Sequence, residues 1–241
     1  MSQTSTPLDQ KKFAEAQASE LGNWQSGAAD PAHVQHELDE HSEIERPLRE
    51  VFGNETFGRG LEVGIGPYSL GFLAVHFADR VGRIDGLDPL PRLDVRVADA
   101  ALQERVDEAR RRVNYIQSQA EAIPAETASY DIVSCINVVD HAQDPGLILK
   151  EIERVLKPGG LFVFGVSTLS QVGERLWHYR RWKTPSEWLF VAHPHTFQWN
   201  AADALLRTVP GETIWHDRPG LFQRLAGHGR MSFWIRRKEN A

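Results

Sequence analysis

Five short apolar runs, at residues 60–65, 83–88, 113–118, 131–137 and 161–166, follow one another through the middle of the chain. Helix-period segments fill three of the four gaps between them, at 69–80, 91–112 and 145–156, the first with Leu70, Leu73, Phe77 and Ala78 on one face. Strands that alternate with helices pair in parallel, because each helix carries the chain back across a face of the sheet. Lys157-Pro158-Gly159-Gly160 reads as the stop of the third helix. Two more strand patterns, at 212–215 and 231–237, close the chain. The pattern predicts an α/β fold with a doubly wound, mostly parallel, seven-stranded sheet.

The flanks differ from this middle. Residues 1–8 read as a polar tail, and 8–24 as a helix with Phe13, Ala16, Leu21 and Trp24 in a stripe. A second helix is expected from Asp30 or Pro31 toward Phe52, kinked or interrupted near Pro47. Residues 1–55 are therefore expected to form a helical cap, and 56–241 the α/β domain. Residues 167–199 are too long for an ordinary connection and too aromatic for a linker, so they are expected to be an inserted lid after the fifth strand. Asn200, with Asp203 three residues on, reads as the N-cap of a helix reaching Leu206.

Composition narrows the function classes. A hydrophobic content of 41% suffices for a core, and one cysteine, Cys135, excludes an internal disulfide and a cysteine-based metal site. Cys135 lies in an apolar run and reads as a small buried hydrophobe. The net charge of -6 argues against a nucleic-acid partner. No run reaches the length of a membrane span and the N-terminus is polar, so a cytoplasmic protein without a membrane partner is expected.

Ligands of a doubly wound sheet sit beyond the carboxyl ends of its strands, so chemistry is sought there. The first strand runs into Leu61-Glu62-Val63-Gly64-Ile65-Gly66-Pro67, whose glycines permit a tight turn and close approach of a ligand. The following helix is expected to offer free N–H groups to an anion such as a carboxylate. The second strand ends in Gly86-Leu87-Asp88-Pro89, where Asp88 suits a ribose diol, with a helix N-cap as the plain alternative and Asp85 as the second candidate. Gln119 and Ala120, after the third strand, suit the edge of a purine, and the loop from Asn137 through Asp140 to His141 faces the same cleft.

Taken together, Glu-x-Gly-x-Gly, Gly-x-Asp-Pro, Ala-Glu-x-Ile-Pro, Tyr-Asp-Ile-Val, Asn-Val-Val-Asp-His and Leu-Lys-Pro-Gly-Gly resemble the class I S-adenosylmethionine-dependent methyltransferases. The likeness covers roughly residues 58–166 and is greatest to the small-molecule, ubiquinone-biosynthesis-like branch. It implies a Rossmann-like fold and S-adenosylmethionine as cofactor. It also implies a small-molecule methyl acceptor, with O-methylation of a sugar or secondary metabolite favoured. Residue by residue it implies that Glu62, Gly64 and Gly66 hold the methionine part, Asp88 the ribose and Gln119 and Ala120 the adenine. Asn137 would line the methyl-donor pocket and His141 would sit near the transferred methyl. The chain departs from the pattern at Tyr68, where many members have a third glycine, and at Gln119, where many have aspartate.

Candidate bases are His141 first, then His195 and His193 of the His193-Pro194-His195 segment, with Asp140 able to orient or replace a histidine. The two segment histidines could hold a metal with Asp140, but nothing fixes a third ligand, so no metal is expected. The basic, aromatic stretch 175–183 could cover the cleft and grip a phosphate or carboxylate; the plain alternative is a helix with a solvated face. Two other functions compete. A nicotinamide-dependent oxidoreductase shares the glycine turn but wants glycine or alanine where Ser69 stands. A non-catalytic cofactor-binding protein would share the whole cofactor site.

Overall fold

The computed structural model describes residues 8–220 and 229–240, so all but the last residue of the expected tail lies outside the described residues. The elements run α1 (Gln10–Gly27), α2 (Pro31–Asp39), α3 (Ser42–Phe52), β1 (Phe57–Val63), α4 (Phe72–His76), β2 (Val81–Asp88), α5 (Ala100–Arg111) and β3 (Val113–Gln117). They continue with β4 (Tyr130–Ile136), α6 (Pro145–Val155), β5 (Leu156–Leu169), α7 (Gln171–Lys183), α8 (Trp188–Ala192), β6 (Phe197–Gln198), α9 (Trp199–Leu206), β7 (Gly211–His216) and β8 (Arg230–Lys238).

The strands form one sheet in the order β3-β2-β1-β4-β5-β8-β7, and β6 pairs with β5. Pairing is parallel from β3 to β5, whereas β8 is antiparallel to both β5 and β7. The sheet has eight strands rather than seven. The reason is local: β5 outruns β4, and its free end at Thr168 and Leu169 takes up Phe197 and Gln198. The chain leaves β1 toward β2 and β3, then returns to place β4 on β1's other edge. The carboxyl ends of β1 and β4 therefore flank the switch point where such sheets bind ligands.

Alternation along the strands sends side chains to opposite faces. Leu61, Val63, Val133, Cys135, Phe162 and Phe164 meet Ile148, Ile152 and Val155 of α6 and Leu206 of α9 on one face. Ile84, Ile132, Leu161, Val163 and Ile235 meet Ile44, Leu48 and Phe52 of α3 and Phe72 and Leu73 of α4 on the other. Cys135 is fully buried, and burial raises its thiol pKa, so it behaves as a hydrophobe.

Four further expectations need correction. The second N-terminal helix breaks at His41, which is left-handed with φ 65°, and not at Pro47. Pro47 lies inside α3, where its missing N–H loosens only the first turn. The helix expected over 69–80 is five residues long, because Ser69 takes φ 58° and delays its start. The helix expected from Pro91 starts at Ala100, where Asp99 accepts the N–H groups of Ala101 and Leu102. The helix expected to open at Asn200 starts at Trp199, with no side-chain cap.

Candidate active site

The turn after β1 needs its glycines. Gly64 and Gly66 have φ of 69° and 75°, which side chains resist, and a Cβ on Gly64 would overlap Val138 of the β4 loop. A Cβ on Gly66 would stand 3.1 Å from the Trp24 ring of α1. Asp88, at the end of β2, holds this turn: one oxygen accepts the Gly66 N–H and the other the Leu90 N–H, both at 2.9 Å. Asp88 is buried, and burial raises its pKa to about 6 against the pull of those two N–H groups. No helix begins at Pro89, so Asp88 is not an N-cap. Asp85 is engaged elsewhere, with Arg59, Asn114 and Tyr130.

Glu62 is tied to the start of the next helix. Its buried carboxylate accepts the Leu73 N–H at 3.0 Å, at the start of α4. Burial raises its pKa to about 7, opposed by the N–H groups of Leu73, Phe72 and Ala74. The helix start expected to be free for an anion is thus filled by the chain's own carboxylate. Tyr68, the residue in place of a third glycine, is buried edge-on against Trp24 and does not line the cavity.

A cavity of about 240 Å³ opens above the turn. Gly64, Gly66, Asp88, Ala120 and Asn137 form its floor, and Asn137 itself is left-handed, with φ 58°. A smaller cavity of about 90 Å³ adds Glu62 and shares Gly64, Gly66 and Asn137. Gln119 stands apart: it is exposed and does not line the cavity, whereas its neighbour Glu121 does. The outer wall comes from α1, α2 and α8, with Glu20, Trp24, His33, Glu37, Trp188 and His193. No lysine or arginine lines this cavity among the described residues, so the basic stretch of α7 offers no grip on an anionic substrate there. Leu176, Tyr179 and Trp182 on α7 are instead exposed.

Of the four acid–base candidates, the structure brings three together. Asp140, His141 and His193 each place one side-chain atom within 4.8 Å of the others. His141 and His193 line the cavity, and Asp140 is buried behind them, 4.0 Å from the Nε2 of each. The two imidazole rings lie 4.2 Å apart. His195 does not join them. It is buried, its Nε2 lies 2.9 Å from the Ala142 carbonyl, and its backbone N–H donates to Asp140 O, so it ties the insertion to the β4 loop. His141 is the third group that sequence alone could not supply for a histidine–carboxylate set. However, its nitrogens face Glu20 at 3.4 Å and Asp140 at 4.0 Å. Two carboxylates beside one ring favour its doubly protonated form.

Sequence reasoning missed Glu20, His33 and Glu37, which belong to no motif. One signal was available. Phe13, Gln17, Glu20 and Trp24 follow helical spacing and all line the cavity, so polar residues sit inside what reads as an apolar stripe.

Residues 61–164 match the family described as "Methyltransferase domain". The ubiquinone biosynthesis O-methyltransferase of Leptothrix cholodnii is 34% identical over 131 residues, which cover 52% of each protein. The chain spans about half the length of the curated relatives it matches first. Two solved structures share the fold over nearly the whole chain. One is the Burkholderia thailandensis 1,6-didemethyltoxoflavin-N1-methyltransferase with bound 1,6-didemethyltoxoflavin and S-adenosylhomocysteine. It has a TM-score of 0.61 and 16% identity, covering 98% of this chain and 93% of that one. The other is the [4+2]-cyclase SpnF, with a TM-score of 0.59 and 17% identity, covering 95% of both.

Proposed function

We propose, from a fold shared with solved S-adenosylmethionine-dependent methyltransferases and the methyltransferase-domain match over residues 61–164, that this chain transfers a methyl group from S-adenosylmethionine to a small molecule. The observation that carries this reading is one cavity shared by a glycine turn, a strand-end carboxylate and a pair of histidines. The residues present fit the cofactor. Gly64 and Gly66 line the cavity with bare backbone at a turn whose positive φ and close neighbours Val138 and Trp24 resist a side chain, and each Asp88 oxygen keeps a lone pair for a ribose hydroxyl after accepting one N–H. Ala120 and Asn137 complete that floor, and Glu62 fixes the turn through α4. The filled start of α4 also separates this reading from a nicotinamide dinucleotide, whose pyrophosphate needs free N–H groups at that helix.

The acceptor side favours a hydroxyl on a neutral, polar molecule such as a sugar or secondary metabolite. Carboxylates and histidines line it and, among the described residues, no lysine or arginine does, which disfavours phosphates and carboxylates. The N-terminal helices act as cap, and within the insertion α8, rather than α7, serves as lid. When bound, S-adenosylmethionine supplies an electrophilic methyl: the acceptor oxygen's lone pair forms the new bond to carbon, the old carbon–sulfur pair stays on sulfur, and the hydroxyl proton passes to a protein base. The protein's share is to hold oxygen and methyl in line and to take that proton. No helix among the described residues is long and apolar enough to cross a membrane.

Calorimetry tests the cofactor reading. Heat is expected with S-adenosylmethionine and S-adenosylhomocysteine, and far weaker binding with NAD. Tight NAD binding with no heat from either methyl-cofactor form would overturn it.

A further inference from the structure

The four groups beside the cavity are not equivalent, and their geometry assigns charges. His141 Nδ1 faces Glu20 Oε1 of α1 at 3.4 Å, an ion-pair distance without the alignment of a hydrogen bond. Its Nε2 faces Asp140 at 4.0 Å. With a carboxylate on each side, the ring carries two protons and a positive charge. His193 is placed differently. Its Nδ1 lies 3.0 Å from the Leu189 carbonyl, one turn back at the start of α8, so that nitrogen carries the proton and donates. No hydrogen bond engages its Nε2 among the described residues, and the ring borders the cavity. Two rings 4.2 Å apart resist a second positive charge, so the one with two carboxylates takes it.

We propose that Glu20 is a positioning residue which, with Asp140, holds His141 as a fixed cation and so leaves His193 as the base that accepts the proton of the methyl acceptor. This rests on the methyl-transfer reading above, and it moves the base from the β4 loop to the insertion. The charges balance. Glu20, His141, Asp140 and neutral His193 sum to one negative charge, which the incoming proton neutralises, and Asp140 then faces the new imidazolium at 4.0 Å. The groups facing His141 are Glu20 from α1, Asp140 from its own loop, His193 from α8 and Asp88 from β2. Those facing His193 are His141, Asp140 and Glu20, with the uncharged rings of Trp177 and Trp188 edge-on to it. The surrounding charges agree with this division. Burial alone would lower the His141 pKa, but Asp140 and Glu20 push it up to about 9. Burial and the His141 charge lower that of His193, against Asp140.

The test follows both rings by NMR in cofactor-free, histidine-labelled full-length protein from pH 5 to 10. In the parent, His141 is expected to titrate near 9 and His193 below the ordinary histidine range. Glu20→Gln is expected to lower the His141 midpoint by at least about one unit and to raise that of His193, since the neighbouring cation is lost. A His141 midpoint below 7 in the parent, or midpoints that Glu20→Gln leaves in place, overturns the proposal. If Glu20→Gln does not fold, the parent titration decides alone. This arm needs no methyl transfer, so the assignment can stand where the functional reading falls. With an acceptor in hand, His193→Ala is expected to lose about 10²–10⁴-fold in kcat with cofactor affinity kept. Glu20→Gln is expected to move the acidic limb of kcat to higher pH. Turnover abolished by a chelator and restored by a divalent cation would also overturn the proposal, because the three groups would then share a metal.

Discussion

The floor of the cavity is built from consecutive strand ends, and its outer wall from helices remote in sequence. On the floor, Gly64, Asp88 and Asn137 are neighbours because β1 pairs with β2 and β4 in fixed parallel register. Each glycine or carboxylate there answers a demand of the backbone or of a strand end. On the wall, Glu20, Glu37, His141 and His193 come from α1, α2, the β4 loop and the end of α8, and only packing brings them together. The floor therefore tolerates little change in backbone shape, whereas the wall stores unfavourable burial of charge. The two parts should fail in different ways when perturbed.

The largest effect is expected on the floor. Gly64→Val places a β-branched side chain at φ 69° and drives it into Val138. The backbone term costs roughly 1–2 kcal/mol and the overlap a further 1–3 kcal/mol. Denaturant unfolding should show a loss of about 2–5 kcal/mol, and calorimetry no measurable S-adenosylmethionine binding. A variant with parental stability and affinity would show that the turn is not the rigid part of the site.

The floor was legible in the sequence for a physical reason. Five apolar runs and their turn glycines are local signals, and parallel order with a switch point follows from them. Asp88 was found because strand ends are where ligands bind. The wall was not legible, because its chemistry depends on contacts across the whole chain. His141 reads as a free base until Glu20, 121 residues earlier, is seen beside it. His195 looks equivalent to His193 in sequence, yet it faces the Ala142 carbonyl. Helix lengths failed where tertiary structure overrode pattern. Leu70 and Phe77 are buried as the stripe required, but Ser69 turns left-handed and Glu62 fills the helix start, so the segment is only briefly helical.

A smaller effect is expected on the wall, and it depends on pH. Burial, then the charges of Glu40 and Glu20, raises the Glu37 pKa from 4.5 to about 8. A carboxyl raised on folding binds its proton more tightly in the folded state. Its stabilising contribution is complete below 4.5 and is lost as pH rises through 8. Glu62, raised to about 7, and Asp88, raised to about 6, act in the same direction over lower windows. The cofactor-free protein should therefore melt at a lower temperature at pH 8.5 than at pH 5. Glu37→Gln should remove part of that slope and raise stability at pH 8.5 by at least about 1 kcal/mol, or roughly 2–4 °C. Thermal melts at the two pH values decide it. A parent that is more stable at pH 8.5, or an unchanged slope in the variant, would mean that the wall carries no such burden.

The smallest effect is expected at Gln119, the residue at which motif and geometry disagree most. By resemblance it reads the adenine, but its side chain is exposed and lies outside the cavity, while Ala120 and Glu121 line it. An exposed side chain without a buried partner contributes within about ±0.5 kcal/mol when removed. Gln119→Ala should thus change the S-adenosylmethionine Kd by less than about twofold. Glu121→Ala is the contrasting variant. Its carboxylate accepts the N–H groups of Gln143 and Asp144 at 2.9 and 3.1 Å, ahead of α6. Losing that acceptor should cost about 1–3 kcal/mol of stability, because two backbone donors are left without it. Calorimetry on the first variant and unfolding on the second separate a ligand contact from a structural one. A tenfold loss of affinity in Gln119→Ala would mean that this side chain turns inward when the cofactor binds. The floor would then be completed by the ligand and not preformed, and the contrast between a rigid floor and an adaptable wall would no longer hold at its adenine end.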